Sequence, residues 1–82
     1  MIGHLAEPLG RSARRVLNFI VRYHNSHGWA PTVREISDGI QVQQSGVHRY
    51  LTSLVRQGFI RRGPRGTSRT ISPCWSRVEE VK

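Results

Sequence analysis

The chain is 82 residues long and carries thirteen basic against five acidic residues, a formal net charge of +8. That length holds one small domain, which buries about 60 to 65% of its unfolded surface and keeps little spare stability. Twelve of the thirteen basic residues are arginine and Lys82 is the sole lysine, which excludes an acidic or charge-balanced surface. The arginine fork matches phosphates and base edges and stays charged in any environment, so a polyanion is the leading partner; a merely solubilising charge is the plainer reading. Cys74 stands alone, which rules out an intramolecular disulfide or a zinc knuckle and suits a reduced, intracellular setting. Neither a long apolar run nor a secretory leader pattern occurs, so a soluble chain without a membrane partner is expected.

Residues 1–10 contain Gly3, Pro8 and Gly10 without periodicity and read as an N-terminal arm. From Ser12 onward Ala13, Val16, Leu17, Ile20 and Tyr23 or His24 recur at helical spacing, which predicts an amphipathic first helix ending near Gly28. Trp29, Ala30 and Pro31 form a stiff connection, since Pro31 disfavours helix in the residue before it. "TVRE" (32–35) has the form of a capping box: Thr32 accepts from the amide of Glu35 while Glu35 reaches back. It opens a second helix of about two turns, with Val33, Ile36 and Ile40 on its apolar side. Such a short helix depends on packing against its neighbours.

After "QVQ" (41–43), Val47, Tyr50, Leu51, Leu54 and Val55 make the stripe of a third helix, about 43–57, stopped by Gly58. "FIRR" (59–62), "GPRG" (63–66) and "TSRTIS" (67–72) read as strand, turn and strand, closed by Pro73. Residues 74–82 form a short tail, from which Trp75 could fold back onto the core. Trp29 and Phe59 stand where the chain changes element and read as core or loop anchors. The expected fold is mainly α: a three-helix winged helix-turn-helix over 11–73, with a C-terminal β-hairpin as the wing and the short connection between helices that this motif requires.

"VLNFIVRYHNSHGWAPTVREI" (16–36), "VHRYLTSLVRQGFIRR" (47–62) and the "SRTI" strand together resemble the N-terminal DNA-binding domain of the LexA repressors. The likeness runs from about Leu9 to Ser72 and is most specific in "GWAPTVREI" and in the Val-His-x-x-Leu helix leading into Gly-x-Ile-x-Arg. It implies a double-stranded DNA partner, commonly an inverted-repeat operator bound by a homodimer. Departures occur where the motif turns: LexA-like sequences usually carry Gly at the place of Gln41, and Ser where Gln43 and Gln44 open the third helix. The connection is also one residue shorter, so the usual SOS operator is not the expected target. In LexA a peptidase domain follows, which dimerises the protein and cleaves it with a Ser and Lys pair. With only a tail after Pro73 and Lys82 as its lysine, self-cleavage is not expected of this chain.

The apolar stripe of the third helix leaves Gln44, Ser45, His48, Arg49 and Thr52 on the opposite face. Gln can pair with adenine, Arg with guanine O6 and N7, and Ser with several acceptors. Base readout is accordingly expected from Gln43, Gln44, Ser45, Gly46, His48 and Arg49, with Gly46 allowing close approach. Phosphate contacts are expected from flanking groups, which position without reading sequence: Thr32 and Arg34 at a helix N-terminus, Thr52 on the third helix, and Arg61, Arg62, Arg65, Thr67 and Arg69 on the wing. The plain alternative is a solvated polar face and solvated charges.

His24 and His27 read as helix-end residues rather than metal ligands. No paired carboxylates, phosphate loop or nucleophile triad appears, so neither enzyme activity, cofactor, metal nor small-molecule ligand is expected. The function expected is that of a sequence-specific, double-stranded DNA-binding transcriptional regulator, a LexA-like repressor acting in the cytoplasm at the nucleoid. Two rivals remain open at this level: a winged-helix interaction module that antagonises a larger repressor, and a general DNA-coating protein.

Overall fold

The computed structural model describes residues 10–63 and 69–75, and its elements are α1 (Arg11–His27), α2 (Val33–Ile40), α3 (Gln44–Arg56), β1 (Ile60–Arg61) and β2 (Ser72–Pro73). Three helices followed by an antiparallel two-stranded sheet make the expected winged helix-turn-helix. All of the expected arm but Gly10, residues 64–68 of the expected wing turn and second strand, and most of the tail lie outside the described residues. No helix among the described residues is long and apolar enough to cross a membrane.

The core is the meeting place of the three apolar stripes. α1 contributes Val16, Leu17 and Ile20, α2 contributes Ile36 and Ile40, and α3 contributes Val47, Leu51 and Leu54, all buried together with Phe59, Ile60 and Ile71. Burying each large side chain contributes about 1.5 to 3 kcal/mol, which is what holds the eight-residue α2 in place. One residue departs from the sequence expectation: Val55 is exposed, because it lies beyond the edge of the α3 stripe. Of the two places expected for Trp29, core or loop, the core is excluded, since the residue is 52% exposed and packs beside His27 in the connection. Trp75 is also exposed and makes an edge-to-face contact with His24, with ring centroids 5.7 Å apart.

Both ends of α2 and the end of α3 have a visible cause. The capping box of α2 is complete: the Thr32 amide donates to Glu35 Oε1 at 2.9 Å and the Glu35 amide to Thr32 Oγ1 at 3.1 Å. At its other end Arg15 of α1 donates to the Ile40 carbonyl at 3.0 Å, placing a cation at the negative pole of the helix. Gly58 ends α3 at φ +83°, with its amide on Val55 and the Phe59 amide on Leu54, the paired bonds of a Schellman stop. Gln41, Val42 and Gln43 join α2 to α3, and the Ser37 carbonyl accepts from the amides of both Gln41 and Val42. Gln41 sits at φ 58°, ψ 50°, a left-handed conformation that disfavours any residue with a Cβ.

The wing differs from the expected hairpin. Ile60 pairs with Pro73 and Arg61 with Ser72, so the second strand begins after residue 71 and includes the proline expected to close it. Two features explain the shift. Arg69 adopts φ 56°, which is not an extended conformation, and a two-stranded edge tolerates the missing proline donor, the next bond coming from Cys74 N–H to the Phe59 carbonyl at 2.8 Å.

Arg69 ties this second arm to the helices. Its Nη1 and Nη2 donate to Glu35 Oε1 and Oε2 at 3.1 and 3.0 Å, and Nη1 also reaches the Ala30 carbonyl at 3.0 Å and the Tyr23 hydroxyl at 3.4 Å. These bonds from Arg69, followed by the Thr32 amide, lower the Glu35 pKa from 4.5 to about 2 against a smaller effect of desolvation.

Two outcomes follow from this geometry. Gln41→Gly should raise stability by about 0.5 to 1 kcal/mol, the relieved left-handed cost less the extra chain entropy of glycine, seen as a higher urea midpoint at unchanged slope. Because the folded pKa of Glu35 is depressed, its stabilisation is present above about pH 4.5 and is lost as pH falls towards 2. Thermal midpoints measured across that window should therefore fall more steeply for the wild type than for Glu35→Gln.

Candidate nucleic-acid interface

The 13-residue α3 contains no Asp or Glu, and burying Val47, Leu51 and Leu54 turns its remaining side chains outward. Gln44, Ser45, His48, Arg49 and Thr52 are exposed, as is Gln43 at the N-cap. Gln43 makes no side-chain capping bond, so its amide group is not committed to the helix end. Thr52 is partly occupied, since its hydroxyl donates back to the His48 carbonyl at 3.0 Å.

Gly46 is half-buried and faces the turn rather than standing at the crest of the helix. A Cβ there would lie 3.0 Å from Val42 Cγ1, so the glycine lets the turn pack closely on the first turn of α3. Together Val42, Gln43, Ser45, Gly46, Arg49 and Tyr50 line a shallow concavity. A recognition surface with an apolar floor and polar walls can accept a methyl group and hydrogen-bond the groups around it.

The wing reaches this face. Arg62 Nη2 lies 3.2 Å from His48 Nδ1. Because a guanidinium can only donate, Nδ1 is the acceptor, and the proton of the neutral imidazole sits on Nε2. An exposed imidazole held in this tautomer has Nε2–H as a donor that suits base acceptors such as guanine O6 or N7. This coupling between wing and helix has no signal in the sequence, because the two residues are fourteen apart on different elements.

The groups assigned to the DNA backbone divide into three. Arg34, Arg61 and Arg62 are exposed on α2, on β1 and just after β1. Thr32 and Arg69 are engaged within the protein: the Thr32 amide and hydroxyl serve the capping box, and both terminal nitrogens of Arg69 hold Glu35. A phosphate at the start of α2 would therefore meet the Glu35 carboxylate already seated there. Arg65 and Thr67 lie outside the described residues.

The histidines of α1 take aromatic partners. His27 stacks on Tyr23 with centroids 3.9 Å apart and its Nδ1 lies 3.1 Å from the Tyr23 carbonyl, while Trp29 packs beside it at 5.7 Å. Among the described residues no group of three or more His, Cys, Asp or Glu is placed to hold a metal.

The LexA DNA binding domain family model matches residues 6–70. The chain is 40% identical over 67 residues to the LexA repressor of Geobacter metallireducens and to LexA repressor 2 of Geobacter sulfurreducens, covering 80% of this chain and 33% and 32% of those proteins. It is 35% identical over 57 residues to the LexA repressor of Carboxydothermus hydrogenoformans, covering 68% of this chain and 28% of that one. The chain thus spans about a third or less of the length of these relatives. With the family model covering most of its residues and the three helices and wing in the matching order, the chain belongs to the LexA DNA binding domain family.

Proposed function

We propose that this chain is the DNA-reading part of a transcriptional repressor, placing the outer face of α3 in the major groove. The observation that carries the reading is the acid-free outer face of α3 with the wing's Arg62 bonded to His48 at its centre. Gln43, Gln44, Ser45, His48 and Arg49 supply base contacts, Gly46 sets the shape of the surface, and Arg34, Thr52, Arg61 and Arg62 approach phosphates. Arg65 and Thr67 belong to the same wing by sequence. Repression, a nucleoid location in the cytoplasm and binding as two copies on an inverted repeat, with half-sites about one helical turn apart, are carried over from the family likeness. The chemistry required is recognition, and no catalytic step is assigned to the chain.

Selection of bound duplexes from a random pool at near-physiological salt tests the reading. The wild-type chain should enrich an inverted repeat, and the double substitution His48→Ala with Arg49→Ala should lose that enrichment while keeping weak nonspecific binding. No enrichment by the wild type would sink the site-specific reading in favour of an interaction module or a coating protein. On the selected site, coverage of about six phosphates should weaken affinity on the order of 10³-fold between 50 and 200 mM salt; a flat titration would contradict phosphate-driven binding.

A further inference from the structure

Resting on the reading of α3 and the wing as a DNA surface, we infer that Arg69 is a positioning residue whose guanidinium fixes the far arm of the wing against α1 and α2, and so sets where Arg61 and Arg62 meet the duplex. The ladder between β1 and β2 is only two residue pairs long, too short to hold a wing by itself. Beyond it the arms are joined by the Gly63 amide, which donates to Thr70 Oγ1 at 3.1 Å. A Cβ on Gly63 would lie 2.7 Å from that of Thr70, so the arms touch at this point.

The next residue along the far arm is Arg69, and there the chain crosses to the helices. Its fork meets both oxygens of Glu35 at 3.0 and 3.1 Å while Nη1 reaches the Ala30 carbonyl at 3.0 Å, so one side chain spans the wing, the connection before α2 and α2 itself. Its backbone lies at φ 56°, a conformation that persists in a non-glycine residue only when surrounding contacts impose it. The near arm ends with Arg62 on His48 at 3.2 Å. A continuous path therefore runs from the start of α2 through Glu35, Arg69, Thr70, Gly63 and Arg62 to the recognition face. Arg69 acts on DNA through that path, both of its terminal nitrogens being engaged with protein acceptors.

Direct phosphate contact by Arg69 is the competing assignment, and Glu35→Gln separates the two by sign. Glutamine retains an oxygen for the capping box but loses the charge-assisted paired contact with arginine. Were Arg69 a phosphate ligand, this change would release it and remove a negative charge beside the duplex, tightening binding. A positioning role requires the reverse: Glu35→Gln should bind the selected site about tenfold more weakly, and Arg69→Lys should lose about as much because an ammonium cannot span the carboxylate as a fork does. The double variant Glu35→Gln with Arg69→Ala should be no weaker than Arg69→Ala alone.

Amide hydrogen exchange of the DNA-free chain gives an independent reading, with circular dichroism confirming that each variant is folded. Exchange at Gly63 and Cys74 should accelerate in Glu35→Gln while Leu51 and Leu54 in the core stay protected. Unchanged exchange at those two amides, or Glu35→Gln binding as tightly as the wild type or more so, would overturn the inference. Faster wing exchange in a protein whose wild type selects no duplex would retain the strut and discard the DNA reading.

Discussion

Glu35 closes the first turn of α2 through Oε1, which accepts from the Thr32 amide, and with both of its oxygens holds Arg69 from the far arm of the wing. Helix start and wing placement thus depend on one carboxylate, and the reason is geometric. An eight-residue α2 needs its N-terminal amides satisfied, and a two-pair ladder needs an anchor outside the sheet. The cost of ordering both is shared by a single ionised group, which is why its pKa is driven so far down. Both partners are partly open to solvent, so water screens the pair and its value lies in direction as much as in energy.

The remaining electrostatics are one-sided. With Glu35 satisfied inside the protein, the outer face of α3 and the exposed wing arginines keep their positive character towards whatever approaches. An acid placed among them would be cheaper in isolation but would repel a phosphate backbone. The arrangement joins two kinds of group: fixed-charge arginines, which act over several ångströms, and short polar side chains on α3, which act only on contact. The His48 and Arg62 pair lies at the boundary, where a wing cation takes Nδ1 of the imidazole as its acceptor.

The turn between α2 and α3 shows how a local conflict can persist in a packed fold. Gln41 occupies a left-handed conformation that favours glycine, yet the Ser37 carbonyl binds the amides of Gln41 and Val42 and the Ser37 hydroxyl donates to the Val42 carbonyl. These bonds use backbone groups of the turn that would otherwise be unsatisfied, and this offsets the steric penalty. The close approach of Val42 to Gly46 completes the turn and shapes the concavity beside Ser45 and Arg49.

Much of the fold was legible because its signals are local. The α1 and α3 stripes, the "TVRE" capping box and the Gly58 stop each depend on residues within a few positions, so periodicity and cap chemistry determined the helices and their order. The polar side of α3 followed from the same stripe, and with it the candidate reading residues. The family likeness then joined these pieces to DNA. What the tertiary structure alone decided involves partners far apart in the chain: Arg69 turning inward to Glu35, thirty-four residues away, Arg62 meeting His48, and the ladder shifting so that Pro73 lies within it. A row of wing arginines looks uniform in sequence because charge is a property of the residue. Which of them faces a ligand and which serves as an internal strut depends on the acceptors that folding brings within reach.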